Sequence, residues 1–325
     1  MWRSTALAAV AVLVCGGCGD NGDDTTAPTT REALPSPVLP APPPEFWSQV
    51  PQNREQRATV AQATRQVDVC AVLPRERLRT LGEIQSVTVG LDSCRAIIDS
   101  DVPGAGTTLT WHATLLPELP PGQGDIKRIG EANVRLVPDR DTGAPRSCGA
   151  TAQFPAGAAF YLGLTTPPGT NPCARADELV PGMIERWRQS PPQGTSPDTV
   201  PTVLLGADPC AVRAKLPDTV LDEEQRLTQC LFGYRGQEIT VGYEYRVPEY
   251  LAADSTEEHI DGRTVHRSVS VYDRTIPIYT AAVGPELPPE STAFGTRVPI
   301  VEVVAATDEV ARDVMSAVLT LFPQR

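Results

Sequence analysis

Two five-residue stretches decide the fold of this chain: DVCAV at residues 68–72 and DPCAV at residues 208–212. Each begins with an aspartate two residues before a cysteine. A second cysteine follows at a similar distance each time, Cys94 in the first half and Cys230 in the second. This recurrence indicates an internal duplication and predicts two tandem copies of one domain.

Similarity between the two halves extends beyond these stretches. PRSCGATAQ at 145–153 aligns with HRSVSVYDR at 266–274, and DELVPGM at 177–183 aligns with DEVARDV at 308–314. We therefore expect both repeats to contain the same succession of elements and to end in the same way.

The same alignment predicts how the cysteines pair. Cys148 matches Val269 and Cys173 matches Val304, so the second half lacks both cysteines together. Loss of one partner would leave an odd thiol, whereas joint loss indicates that the two are bonded to each other. The predicted disulfides are therefore Cys70 with Cys94, Cys148 with Cys173, and Cys210 with Cys230.

An even number of cysteines in an exported chain indicates a disulfide framework. The alternative is a metal cluster built from cysteine and histidine. No CxxC pair occurs after Cys18, and the only histidines are His112, His259 and His266. We predict disulfides, with neither a metal nor any other cofactor.

The first residues of the chain are typical of an export signal. Arg3 supplies a positive charge, residues 6–14 form a short apolar run, and Gly16 and Gly17 follow. The apolar run is about nine residues long, whereas a membrane-spanning helix needs about 20.

This segment resembles a bacterial lipoprotein signal, in which a lipobox ends at a cysteine that becomes lipidated. Cys18 fits that role because two glycines precede it, and Cys15 fits poorly because it follows the bulky Val14. Cys15 also departs from the pattern, since an aliphatic residue usually occupies its place. The resemblance implies a signal peptide at 1–18 and membrane attachment through a lipid on Cys18. The alternative is an ordinary secreted protein cut near Gly17.

Residues 19–54 are rich in Pro, Thr and Asp and show no apolar periodicity. Such a segment cannot bury enough apolar surface to offset the entropy of ordering, so we predict a disordered tether. Phe46 and Trp47 near its end are candidates to pack on the first repeat. The PxxP-like pattern also suits a ligand for another protein, although a plain spacer is favoured.

Each repeat is expected to be an α+β domain in which an antiparallel sheet packs with a few helices. The first repeat is placed at 55–190, a linker at 191–202 and the second repeat at 203–325. The clearest strand is 239–247, where apolar or aromatic side chains occupy every second position. Further strands are predicted at 108–118, 129–139, 268–273 and 298–304.

A closing helix is predicted at the end of each repeat. In the second repeat Thr307 is a candidate N-cap, acidic residues follow in the first turn, and an apolar stripe runs to Leu321. In the first repeat Asn171 and Pro172 begin the counterpart, which Pro181 is expected to kink or break.

The signal, the Pro/Thr tether and the D-x-C-A start with its downstream cysteine resemble a family of actinobacterial cell-envelope lipoproteins. That family is defined by a domain of unknown function and is common in mycobacteria and nocardiae. The later NPCARADELV at 171–180 also fits it. The resemblance covers 66–190 well and 206–325 less well, because the second half lacks two cysteines. It implies an exported, disulfide-bonded α+β domain and no established reaction, so no catalytic residue carries over.

The sequence contains no GxSxG, SxxK, HExxH or P-loop motif. Its densest polar cluster is EEHIDGRTVH at 257–266. There Glu257, His259, Asp261 and His266 would bind a metal only if a turn gathered them. A solvated hairpin with Asp-Gly at its tip is the favoured alternative.

The tryptophans outside the signal are Trp47, Trp111 and Trp187. Exposed rings would suit a glycan-binding platform, whereas buried rings would belong to the core. We favour the core for Trp187 and leave Trp111 open. His112 lies among strand residues and is expected to be a satisfied sheet histidine, not a catalytic one.

The net charge of -12 argues against nucleic acid as a partner, because phosphate binding needs basic patches. We expect a non-enzymatic lipoprotein, held by its lipid on the outer face of the cytoplasmic membrane or in the cell wall. It would bind an envelope protein, a lipid or a wall component. The alternatives are a sensory or regulatory domain for a membrane partner, or an envelope enzyme with an unrecognised site.

Overall fold

Strands dominate the described part of the chain and form two antiparallel sheets of seven strands each. The computed structural model describes residues 41–102, 104–139, 146–221, 226–292 and 295–322. The predicted signal at 1–18, with Cys18, and the first part of the predicted tether lie outside these residues. The described residues all belong to one compact unit.

The first repeat supplies one sheet and most of the helices. Its strands are β1 (Ile84–Val89), β2 (Ser93–Ile98), β3 (Thr107–Leu115), β4 (Ile126–Ile129), β5 (Ala132–Pro138), β6 (Ser147–Gln153) and β7 (Ala158–Thr165). Its helices are a 3-10 turn (Pro44–Ser48), α1 (Arg54–Gln66), α2 (Val69–Val72), α3 (Arg75–Leu78) and α4 (Pro172–Arg188).

The second repeat supplies the other sheet. Its strands are β8 (Val220–Leu221), β9 (Gln229–Tyr234), β10 (Gln237–Arg246), β11 (Thr256–Ile260), β12 (Arg263–Val269), β13 (Pro277–Ala282) and β14 (Val298–Val304). Its helices are 3-10 turns (Pro209–Lys215 and Pro289–Ser291), α5 (Glu249–Ala252) and α6 (Asp308–Leu319).

The two sheets have the same strand order, which establishes the duplication. The first runs β1-β2-β3-β7-β6-β5-β4 and the second, read from β8, runs β8-β9-β10-β14-β13-β12-β11. The registers agree as well, because Cys94 lies opposite Trp111 and Cys230 lies opposite Val241. The predicted fold class, two tandem α+β repeats, is confirmed.

A closing helix covers one face of each sheet. In α4, Leu179, Met183 and Trp187 are buried against the first sheet. In α6, Val310, Val314 and Val318 are buried against the second. Recurring apolar positions every three or four residues make these faces, as the predicted stripes require.

The structure contains the three disulfides that the repeat predicts. The Cα atoms are 5.5 Å apart in Cys70–Cys94, 5.1 Å in Cys148–Cys173 and 5.0 Å in Cys210–Cys230. The first and third pairs join corresponding places, since each ties the D-x-C stretch to the second strand of its sheet. On the chain-entropy model each such loop contributes about 3–4 kcal/mol to stability.

Three details of the sequence prediction are wrong. The strand predicted at 268–273 ends at Val269, and a loop follows it. Of the kink or break predicted at Pro181, the break does not occur, because the closing helix α4 continues through this residue. This is possible because Pro181 lies on the exposed side, where helical hydrogen bonds are easily replaced by water. The alignment of 145–153 with 266–274 is also wrong, because it matches β6 with the end of β12, whereas the topology matches β6 with β13.

The sheet registers give the correct alignment. β6 corresponds to β13, so Cys148 corresponds to Pro277. The N-caps Asn171 and Thr307 are equivalent positions, so Cys173 aligns with Glu309. The second repeat therefore lacks both cysteines of the Cys148–Cys173 bridge, as predicted. The residues at the equivalent positions are Pro277 and Glu309, whereas Val269 and Val304 were predicted.

Polar side chains link β13 to α6 where the first repeat uses a disulfide. Tyr279, two residues beyond the place of Cys148, donates its hydroxyl to Asp308 Oδ1 at 2.8 Å. Arg267 on β12 donates twice to the same carboxylate, at 2.6 and 3.0 Å. The bond from Arg267 holds the pKa of Asp308 below its ordinary value. This carboxylate also lies in the first turn of α6, where a negative charge is favourable.

We predict that Tyr279→Phe lowers the free energy of unfolding by about 1.5 kcal/mol, because it removes a hydrogen bond to a charged group. Urea denaturation followed by circular dichroism measures the change. Tyr272→Phe is the matched control, since Tyr272 is 98% exposed and its loss should change stability by less than about 0.5 kcal/mol. Equal effects in the two variants would contradict the proposed link.

Candidate functional site

The two repeats join through an exchange of corresponding leucines. Leu91 and Leu227 each precede the second cysteine of their repeat by three residues. Leu227 is buried in the core of the first repeat, and the half-buried Leu91 packs against the cores of both repeats. The turn before β2 and the turn before β9 therefore interlock.

Backbone hydrogen bonds repeat on both sides of this join. The Ala113 N–H donates to the Asp92 carbonyl at 3.0 Å, and the Tyr243 N–H donates to the Thr228 carbonyl at 2.8 Å. By register, Ala113 corresponds to Tyr243 and Asp92 to Thr228. Each repeat thus makes the same backbone contact at the turn beside the join, while the side chains differ.

Side chains of α1 reach across the join. Arg65 donates Nε to the Leu227 carbonyl at 2.9 Å and lies 3.2 Å from Asp208. Burial lowers the pKa of Arg65, and the charge of Asp208 opposes that effect. Gln66 donates its amide to the Gly206 carbonyl at 2.9 Å. These contacts connect the end of α1 directly to the second repeat.

The linker after α4 is bound to the first repeat. Gln193 donates its amide to the carbonyls of Arg65 and Val67, at 2.8 and 3.0 Å. Asp68 accepts hydrogen bonds from the Ser196 N–H at 2.8 Å and the Thr199 hydroxyl at 2.7 Å. The same Asp68 caps α2, so it holds the start of the repeat and the linker together.

A cleft of about 690 Å³ opens beside this join. One wall is α1 with the segment that precedes it, and another is β3 with the turn between β6 and β7. The second repeat contributes the turn before β9. The apolar lining residues are Val50, Pro51, Val60, Ala113, Leu115, Pro117, Pro155, Ala156 and Leu227.

The cleft opens where β3 of the first repeat faces α1. Ala113 is small and leaves space between β3 and α1. In the second repeat the same position is Tyr243, which is 3% exposed and packs edge-on against Phe322. The next inward position is Tyr245, whose hydroxyl lies 2.8 Å from that of Thr202. Two buried tyrosines thus occupy the positions that Ala113 and Leu115 hold in the first repeat.

Charged groups are few in the cleft and lie at different depths. Arg57 on α1 and Arg226 of the second repeat are exposed at the rim, and Glu118 is exposed at the opposite wall. Asp92 lies deeper, beside Ala113 and Leu227. The cleft therefore combines an apolar interior, two arginines and one glutamate at its exposed parts, and one recessed carboxyl group.

Burial raises the pKa of Asp92 from its ordinary value of 3.8 to about 6. The charged carboxylate loses hydration in the cleft, and hydrogen bonding to its own backbone offsets only part of that loss. Near neutral pH a fraction of the molecules therefore carries a protonated Asp92, which can donate a hydrogen bond to a ligand.

The predicted polar cluster is a hairpin. Glu257 pairs with His266 across β11 and β12, and Asp261 and Gly262 form the tip with positive φ angles of 51° and 77°. His259 is exposed on β11. Within the described ranges, no three His, Cys, Asp or Glu side chains are arranged to hold a metal.

The aromatic candidates are core residues. Trp47, Trp111 and Trp187 are 0%, 1% and 0% exposed, so none offers a platform to a glycan. Trp111 donates Nε1 to the Val69 carbonyl at 2.7 Å, which joins β3 to α2. His112 lies half-buried beside Tyr161, with ring centres 5.2 Å apart, and burial lowers its pKa.

Sequence reasoning missed the residues of the cleft, although a signal was present. Both repeats carry Leu-x-x-Cys at the second cysteine, LDSC at 91–94 and LTQC at 227–230. This recurrence marks the turn that each repeat inserts into the other. The opening of the cleft at Ala113 follows from packing and has no local sequence motif.

Comparison with protein-family models, with curated proteins and with solved structures found no match to this chain.

Among the helices that the structure describes, none combines the length and the apolar character that crossing a bilayer requires.

We predict that Asp92→Asn stabilises the protein at about pH 8 by up to about 3 kcal/mol and has no effect at about pH 4. The folded state binds the Asp92 proton more tightly than the unfolded state does. The carboxyl group therefore weakens folding as pH rises from its ordinary pKa through about 6. Urea denaturation at both pH values measures the effect, and exposed Asp125→Asn is the control. A gain at low pH alone would show that the sign is wrong.

Proposed function

We propose that this protein is a lipid-anchored binding module of the cell envelope that holds an amphipathic ligand in the cleft between its repeats. The observation that carries the proposal is the cleft itself. Ligand sites are typically concave, mostly apolar and supplied with a few placed polar groups, in volumes of roughly 300–1,000 Å³. The cleft of about 690 Å³ meets each of these conditions.

The chemistry of the lining favours an acidic amphiphile. An apolar chain would lie along Val50, Leu115 and Leu227, removing their surface from water. An acidic head group at the rim would meet Arg57, and at depth the protonated form of Asp92 would donate to it. A fatty acid has this combination of groups.

The location rests on the export signal and on the disulfides. Three disulfides are compatible with an oxidising compartment outside the cytoplasm. Cys18 as the lipid attachment point would hold the repeats at the outer face of the membrane, on the tether that begins at Gly19. Resemblance to the actinobacterial lipoprotein family supports the same address.

A regulatory domain for a membrane partner is the second candidate, and one observation favours it. Val271 and Tyr272 are 87% and 98% exposed at the tip of the loop between β12 and β13. The corresponding stretch of the first repeat, residues 139–146, reads DRDTGAPR and has no large apolar residue. A loop tip with two neighbouring exposed apolar residues suits contact with another molecule.

Binding of lauric acid to the purified chain tests the proposed cleft. We expect saturable heat release in isothermal titration calorimetry. Val50→Asp should weaken binding by about tenfold, because a charge replaces apolar lining. Val102→Asp is the matched control, since the two valines are 61% and 60% exposed and only Val50 lines the cleft.

The preference of the cleft for an acidic head group is tested by comparing lauric acid with dodecylamine, which has the same chain length and a cationic head group. Arg57→Glu should weaken lauric acid binding and leave dodecylamine binding equal or stronger. The control Arg79→Glu changes net charge equally on an exposed position outside the cleft. Absence of lauric acid binding, or equal loss in Val50→Asp and Val102→Asp, would overturn the cleft as the site.

The membrane anchor is tested separately. Cys18→Ala should move the protein from the membrane fraction to the soluble exported fraction of the producing cells. Continued lipid labelling of Cys18→Ala would place the lipid elsewhere and refute the lipobox assignment.

A further inference from the structure

The outer strands of the two sheets carry opposite charges. β4 ends the first sheet and β11 ends the second, and they correspond in the duplicated topology. β4 reads IKRI and contains Lys127 and Arg128, whereas β11 reads TEEHI and contains Glu257 and Glu258. Two copies of one element have thus acquired complementary charges at the same place.

The charged side chains of β4 point to both faces of its sheet. Lys127 faces the helix side, where it pairs with Asp177 on α4. Arg128 faces the other side and is exposed, as is Ile126, which is 54% exposed. Alternation along a strand accounts for this division.

β11 divides in the same way. Glu258 faces the helix side, where Arg312 on α6 donates twice to it, at 2.9 and 3.0 Å. Glu257 and His259 face the other side and are exposed. Each outer strand therefore presents one charge on each face of its sheet.

Both strands have an open edge. Within the described residues, β4 pairs only with β5 and β11 pairs only with β12. The outward N–H and C=O groups of such a strand are a template for pairing with another strand.

We propose that β4 of one copy of this protein pairs with β11 of a second copy to form a continuous antiparallel sheet. Because the two edges correspond, rotating one sheet by half a turn about its normal brings them together. That rotation makes the strands antiparallel and keeps both closing helices on the same face. The pairing adds a strand to an exposed edge, a common mode of protein recognition.

One register of the two strands pairs opposite charges on both faces of the sheet. Placing Lys127 opposite Glu258 puts two helix-side residues together, and it places Arg128 opposite Glu257 on the other side. Directly opposite residues of an antiparallel pair share a face, and opposite charges there are favourable. On the helix side the charges of Asp177, Lys127, Glu258 and Arg312 would alternate across the junction, with Glu258 and Arg312 from the second copy.

The same charges disfavour the symmetric alternatives. A pair of β4 edges centred on Lys127 or on Arg128 would place that residue opposite its own copy, and a pair of β11 edges centred on Glu257 or on Glu258 would do the same. Like charges directly opposite destabilise a strand pair. Assembly is therefore head to tail between unlike edges, a heterologous contact.

Analytical ultracentrifugation of the purified chain tests the proposal. We expect the mean mass to rise with concentration up to about 1 mM and the rise to shrink as salt screens the charges. The double variant Lys127→Glu, Arg128→Glu should weaken association at least about tenfold. The double variant Glu257→Lys, Glu258→Lys should weaken association to a similar extent. An equimolar mixture of the two variants should restore it, because each contributes one edge that matches the other.

Arg79→Glu with Arg186→Glu is the control, since it changes net charge by the same amount at exposed positions away from both edges. It should associate as the wild type does, and circular dichroism should be unchanged in every variant. A wild type that stays monomeric, a control that loses association equally, or a mixture that does not associate would each overturn the proposal.

Cross-linking tests the register independently of charge. Mixing Arg128→Cys with Glu257→Cys should give a disulfide between copies, because these positions are directly opposite. Mixing Arg128→Cys with Glu258→Cys should not, because these side chains lie on opposite faces of the sheet. Equal yields in the two mixtures would refute the register.

Discussion

The rest of the structure depends on the connection that each D-x-C stretch makes with the second strand of its sheet. The aspartate caps the first turn, with Asp68 accepting from the Cys70 N–H at 3.1 Å and Asp208 from the Cys210 N–H at 3.0 Å. The capped cysteine is then bonded to the start of β2 or β9. The turn just before that strand carries Leu91 or Leu227, which contact the other repeat. The join and the cleft beside it therefore lie next to this connection.

Duplication gave two similar backbones, and side-chain differences then gave them separate properties. The first repeat ties its closing helix with a disulfide, whereas the second does so with Tyr279, Asp308 and Arg267. At the join, Ala113 lines the cleft, whereas the corresponding Tyr243 is buried. The similar backbones therefore carry different side chains beside the cleft.

Much of the fold could be predicted from the sequence because its signals are local. Alternation at 239–247 matches a strand whose inward side chains are all buried, and the hairpin tip at Asp261 follows from Asp-Gly. The disulfide pairs could be predicted from the repeat although the alignment was wrong by one strand. In both the predicted and the correct alignment, the second repeat lacks counterparts of Cys148 and Cys173. The cleft could not be predicted, because it depends on how Ala113 packs against α1 and on contacts between distant parts of the chain.

The attachment of the tether has a mechanical consequence. Trp47 is fully buried, donates Nε1 to Ser190 at 2.9 Å, and lies against the rings of Trp187 and Phe154. It precedes Val50 and Pro51, which form part of the cleft wall. A force that reaches the domain along the tether is therefore borne at this tryptophan, before it can be transmitted to the wall. One buried side chain thus separates the predicted tether from the part of the chain that forms the cleft wall.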